Sequence, residues 1–145
     1  MKTIRRSAVV GYSTEEMYAL VADVASYPKF LPWCGGARLV KQQHDVVEAA
    51  ITIDYKGINK TFVTRNVLSP NQSIEMQLIE GPFSRLHGCW HFTPLEERAC
   101  KIELDLEFEV ANRVVGTVFN PVFSAIAGQM VDSFHKRAAE LYGKR

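Results

Sequence analysis

The sequence predicts an α+β domain in which an antiparallel sheet curls around one long C-terminal helix. Three observations carry that prediction. From Cys34 to Ala111, apolar and polar residues mostly alternate with period two. From Asn112 onward the apolar spacing becomes helical. Between them, "KIELDLEFEV" sets Ile102, Leu104, Leu106, Phe108 and Val110 against Lys101, Glu103, Asp105, Glu107 and Glu109. A strand face with five charges belongs in water, so its opposite face needs a cover. The long apolar helix is the element able to supply it.

The elements follow in order. "TIRRSAVVG" alternates Ile4, Arg6, Ala8 and Val10 with Thr3, Arg5, Ser7 and Val9, which predicts a first strand. Ser13 followed by Glu16 is a capping box, in which each side chain bonds the other's backbone N–H at a helix start. Met17, Leu20, Val21 and Val24 then share a helical face. Pro28 and Pro32 prevent that helix from running on, so a short second turn is predicted around Ser26–Leu31. About six strands come next, cut by turn signals at Lys56-Gly57, Ser69-Pro70-Asn71 and Pro94. One strand carries Val47, Ala49, Ile51, Ile53 and Tyr55 on one face; another points Leu86, Gly88, Trp90 and Phe92 one way. The final helix carries a stripe of Val118, Val122, Ile126, Met130, Phe134, Ala138 and Leu141, flanked by Phe119, Phe123, Ala127 and Val131. Asn120-Pro121 marks a helix start or a kink within it.

The 145 residues suit one domain, 1–145. A formal net charge of +1 gives no global pull toward DNA or an anionic membrane. Three cysteines, Cys34, Cys89 and Cys100, with no C-x-x-C, suggest neither a disulfide framework nor a structural zinc site. They read as reduced thiols. No run of about 18 apolar residues predicts a membrane span.

The stretch "YPKFLPWC", residues 27–34, crowds aromatics onto a piece of chain that suits neither helix nor strand. In the predicted architecture it closes one end of the curled sheet. Phe30, Leu31, Pro32 and Trp33 then either roof an interior space or plug the end of a filled core.

"YPKFLPWCGGARL", "KTFVTRNVL", "EGPFSRLHGCWHFTPL", "CKIELDLEFEV" and "FNPVFSAIAGQMVDSFHKRAAELYG" together resemble one family across most of Arg5–Gly143. It is the START-like family that includes the bacterial ribosome-association toxin and the mitochondrial coenzyme Q-binding protein. The resemblance implies a helix-grip fold with an internal hydrophobic cavity, as in polyketide-cyclase and lipid-transfer relatives. It implies non-enzymatic binding of ubiquinone or a similar lipid, with no cofactor required. For the bacterial branch it also implies binding to the large ribosomal subunit and a block on subunit joining. Because the first strand begins directly, without a targeting extension, a bacterial cytoplasmic member is expected, with peripheral contact at the inner membrane compatible with the ligand class.

The expected cavity lining is Phe30, Leu31, Trp33, Phe62, Leu78, Trp90, Leu104, Leu106, Phe119, Phe123 and Met130. The phase of the strand holding Phe62 is open. Lys56, Lys60 and Arg65 cluster in sequence and are candidates for contact with ribosomal RNA or lipid headgroups. His87, Cys89 and His91 share one strand face, but span about 13 Å with no evident acid to orient them, so no metal site is assigned. Cys34 has no adjacent base, and no catalytic residue is assigned. Ligand binding is thus the first reading and ribosome binding the second.

Overall fold

The computed structural model describes all residues, 1–145. Strand β1 (Lys2–Val10) leads into helix α1 (Thr14–Ala22) and a short 3-10 helix (Val24–Lys29). Six strands follow: β2 (Cys34–Gln43), β3 (Val46–Tyr55), β4 (Ile58–Ser69), β5 (Ser73–Glu80), β6 (Phe83–Glu96) and β7 (Ala99–Val110). Helix α2 (Arg113–Tyr142) closes the chain. All seven strands join one antiparallel sheet in the order β1-β7-β6-β5-β4-β3-β2. This is the α+β, helix-grip arrangement that the alternation and the helical stripe predicted.

The sheet curls because its ladders are interrupted. Register shifts fall at Cys34/Gly36 and Leu39/Lys41, at Val63/Thr64, and at Phe83/Arg85 and Pro94/Glu96. Each adds local twist and bend. Between β5 and β6 the pairing runs only from Ser73 to Gln77. Gly88 sits in that stretch for a steric reason. A Cβ there would lie 2.6 Å from the Asp105 carbonyl oxygen and 2.7 Å from Leu106 Cδ1. Only glycine allows β6 and β7 to approach so closely at that point.

The concave face and α2 make one core. Ile102, Leu104, Leu106 and Phe108 of β7 are all buried, as are Phe119, Phe123, Ile126, Val131, Phe134 and Ala138 of α2. Edge-to-face contacts join Phe62, Phe83, Phe108 and Phe123, with Phe119 stacked on Phe123. A second aromatic group joins Tyr27, Phe30, Phe134, Trp90 and Phe92.

Four expectations are corrected. Pro94 does not end a strand; it lies within β6, opposite Cys100, where the neighbouring register shift relieves the missing N–H. The short turn is a 3-10 helix over Val24–Lys29, starting before Ser26, with Pro28 inside it. Val118 and Leu141 are exposed at 60% and 53%, because the buried face of α2 runs through Phe119, Phe123, Ala127, Val131, Phe134 and Ala138. The acids of β7 are half-exposed rather than fully so: side-chain exposures are 33% for Glu103, 47% for Asp105 and 39% for Glu107. Arg5 of β1 and His87 of β6 cover Asp105 and Glu107 from the flanking strands, and Lys101, two residues back on β7 itself, pairs with Glu103. In addition, α2 is long and apolar enough, by length and composition, to cross a membrane; here its apolar side packs on the sheet.

Candidate functional site: an interior cavity and the cleft beside it

Between the sheet and α2 lies an interior cavity of ≈ 80 Å³, with 14 of its 16 bordering residues hydrophobic. Its walls come from every layer. β6 and β7 supply Leu86, Trp90, Leu104 and Leu106, and α2 supplies Phe123, Ile126, Ala127 and Met130. The 3-10 helix and the segment after it supply Val24, Tyr27 and Trp33. β3, β4 and β5 supply Ile51, Phe62, Thr64, Asn66 and Met76. The cavity lies where the two aromatic groups meet, bordering Phe62 and Phe123 of one and Tyr27 and Trp90 of the other.

Of the eleven expected lining residues, Trp33, Phe62, Trp90, Leu104, Leu106, Phe123 and Met130 border this cavity. Four do not. Leu31 is 1% exposed and fills solid core. Phe119 packs on Phe83 and Phe123, beyond the cavity end. Leu78 sits past the β5–β6 pairing, near Gly81 and Phe62. Phe30 is half-buried, edge-on to Tyr27 and Phe134, and borders the surface cleft instead, with the Arg137 guanidinium 5.0 Å from its ring centroid.

Phe30, Pro32 and Trp33 form one wall of an open surface cleft of ≈ 640 Å³; the other wall is α2, from Gln129 to Glu140, with Lys144 beyond it. Trp33 borders both spaces and is the partition between cleft and cavity. The irregular "YPKFLPWC" stretch therefore does two things: Leu31 plugs core, while Trp33 separates inside from outside. The cleft carries Lys136 and Lys144; Glu140 is engaged by Arg137 at 3.5 Å.

Nine cavity-bordering residues were missing from the expected lining, and two of the nine, Thr64 and Asn66, are polar. They are 4% and 6% exposed, and the Thr64 hydroxyl donates to Asn66 Oδ1 at 2.8 Å. The signal was present in "INKTFVTRNVL", where Ile58, Phe62, Thr64 and Asn66 share one parity. Reading it needed the strand's phase, which pairing with β3 (Ile51↔Phe62, Ala49↔Thr64, Val47↔Asn66) fixes.

That phase also separates the basic candidates. Lys60 pairs with Ile53 and has the parity of Phe62, whereas Arg65 pairs with Glu48 on the opposite face. Lys56 lies in the β3–β4 turn, at φ 49°. The three are near in sequence but form no single patch.

The histidine face is also resolved. His87 Nε2 lies 3.1 Å from Glu107 Oε2 across the β6–β7 ladder, so an acid does accompany it. Cys89 is on that face, its thiol pushed up to about 11 by burial and by the nearby Glu75 and Asp105 carboxylates. Burial likewise raises Cys34 and pushes Cys100 up to about 11. Tyr27, which borders the cavity, is raised by burial, and its hydroxyl donates to the Val21 carbonyl. These thiols and this phenol stay protonated near neutral pH, which suits packing better than nucleophilic attack.

Residues 10–135 match the family described as polyketide cyclase / dehydrase and lipid transport. The chain belongs to that family. Within the family, it is 48% identical over 145 residues to the ribosome association toxin RatA of Escherichia coli (strain K12), covering all of this chain and 92% of that protein. The ribosome association toxin RatA of Pseudomonas aeruginosa is 44% identical over 140 residues, with 97% of each chain covered. The mitochondrial coenzyme Q-binding protein COQ10 homolog B of Xenopus laevis is 28% identical over 143 residues, covering 96% of this chain and 59% of that one. Among solved structures, an 18 kDa protein from Caulobacter crescentus superposes with a TM-score of 0.78 at 30% identity, covering 99% of both chains. The Zhui aromatase/cyclase from Streptomyces superposes with a TM-score of 0.85, but at 15% identity it speaks for the fold alone. So does a START superfamily protein from Mycobacterium smegmatis, at 0.78 and 21%.

Proposed function

We propose that the protein acts by binding rather than by chemistry, and that its macromolecular partner is the ribosome. The observation that carries this is the 48% identity to a ribosome association toxin over the whole chain. The coenzyme Q-binding relative stands at 28%. On this reading the protein contacts the large subunit and hinders subunit joining. The surface with the best claim is the cleft between Trp33 and α2. With Glu140 held by Arg137, Lys136 and Lys144 set its sign, and a phosphate backbone is the complementary partner.

The test is to add purified protein to intact ribosomes and resolve the particles on gradients. Free subunits should accumulate. Charge reversal at Lys136 and Lys144 together should weaken the effect and its salt dependence more than reversal at Lys60 and Arg65, which lie on opposite faces of β4. An unchanged profile at saturating protein removes the ribosome reading.

The interior cavity supports a second binding role, for an apolar small molecule such as a quinone or lipid. Its lining is that of a ligand pocket, but ≈ 80 Å³ is far below the roughly 300–1,000 Å³ of pockets for drug-sized ligands. A quinone ring enters only if the walls give way. Met76 and Met130 are the walls able to do so, being half-buried, unbranched and rich in rotamers. A tail would leave past Trp33 into the cleft. Extraction of purified protein with organic solvent, followed by mass spectrometry, identifies the occupant.

A further inference from the structure

We infer that Asn66 is the polar anchor of the interior cavity: its side-chain amide donates to a neutral carbonyl oxygen on an otherwise apolar ring. This rests on the second binding role given above. Asn66 and Thr64 are the polar exceptions in a hydrophobic lining, and both side chains are more than nine-tenths buried. The Thr64 hydroxyl is spent on Asn66 Oδ1, which leaves the amide nitrogen as the free donor of a side chain that borders the cavity. No hydrogen bond within the protein engages that nitrogen, and it is not sealed in: the one fully buried side-chain polar atom without a partner is Ser124 Oγ. A ligand that shuts this space off from water must bring an acceptor, or leave the donor unmet at a cost of about 1–3 kcal/mol.

Three occupants could meet it, and the surroundings choose among them. A water needs two to four polar partners to be held well. The cavity offers only this pair, because the Tyr27 hydroxyl is engaged with Val21. A carboxylate would bury its charge with no lysine or arginine on the cavity wall to balance it. A neutral carbonyl satisfies the donor and brings no charge. The apolar remainder of such a ligand then meets Trp90, Phe62 and Phe123. The site therefore selects quinone-like or ketone-bearing rings over hydrocarbons of the same shape.

The test compares duroquinone with durene, two tetramethyl rings that differ by the two carbonyl groups. Binding is read as the ligand-induced rise in Tm for both. For duroquinone it is also read as quenching of the two tryptophans, Trp33 and Trp90, which both border the cavity. The wild type should bind duroquinone at least tenfold more tightly than durene. In Asn66→Leu that ratio should fall close to one, chiefly through lost duroquinone affinity. If Asn66→Leu fails to fold, the double variant Thr64→Val/Asn66→Leu carries the test, since it leaves no hydroxyl without its partner. Equal affinities in the wild type, or undiminished discrimination in the variants, overturn the role of Asn66 while the cavity reading survives. Binding of neither compound to the wild type overturns both.

Discussion

Trp90 sits where packing and binding compete for one side chain. Its ring is 2% exposed, meets Phe134 edge-on at 5.4 Å, and also borders the cavity. A cavity of only ≈ 80 Å³ leaves most of the indole in contact with protein. Trp90→Ala should therefore behave as a core deletion, costing about 3–5 kcal/mol in urea unfolding. A loss below about 1 kcal/mol would mean that the ring faces mostly empty space and that the cavity is larger than it looks here. Trp90 was legible in the sequence because "RLHGCWHF" alternates without interruption. Asn66 was not. Its neighbours in "FVTRN" mix polar and apolar residues on both faces, so alternation alone could not say which side was inside. Ala50 and Val63 are buried on the outer face of the sheet, as Ile51 and Phe62 line the inner one. Where both faces of a strand are partly covered, period two loses its meaning as a burial signal.

At the scale of elements, α1 depends on both ends of the chain. The expected capping box is present: Glu16 N donates to Ser13 Oγ at 3.1 Å, and Ser13 N donates to Glu16 Oε1 at 3.0 Å. The sequence spacing made that half of the arrangement visible. The other half needed the fold. Arg145 Nη1 donates to the same Glu16 Oε1 at 2.6 Å, the Tyr142 hydroxyl donates to the Glu16 carbonyl, and the Tyr12 hydroxyl donates to the Gly143 carbonyl. No local pattern announces a contact across so many residues. Ser13→Ala should cost about 1 kcal/mol, read as a shift in the urea midpoint with unchanged slope. Glu16 adds a pH signature. The Arg145 hydrogen bond, then that from the Ser13 N–H, hold its carboxyl below the usual glutamate range. Its folded pKa thus lies under its unfolded one. The stability it contributes is present above the unfolded value and is lost as pH falls through the folded value. Near neutral pH, Glu16→Gln should be less stable than the wild type. The gap should close as the pH drops below the ordinary glutamate range, and a gap that stays constant down to the acid transition would show that the clasp is not electrostatic.

For the whole molecule, the two proposed roles use different surfaces, and one substitution can separate them. Ribosome contact is assigned to the outside, at the cleft carrying Lys136 and Lys144, whereas small-molecule binding is assigned to the inside. Only Trp33 belongs to both. Ala127 lies on the inner face of α2, is 2% exposed and borders the cavity, so a larger side chain there grows into space already empty. Ala127→Leu adds three carbons. Buried at about 0.8 kcal/mol each, they would stabilise the fold by up to about 2 kcal/mol, offset by whatever strain the leucine meets. Because the cavity is real space rather than packed core, burial should win, and Tm should hold steady or rise. Duroquinone should no longer quench Trp33 and Trp90, because the ring's place is taken. The outer cleft is untouched by this change, so the accumulation of free ribosomal subunits should persist at the wild-type protein concentration. If plugging the cavity abolished the ribosome effect in a stably folded variant, the two roles would be one: an occupant of the cavity would be needed to set Trp33 and the cleft, and the inside of the sheet would control what its outside can bind.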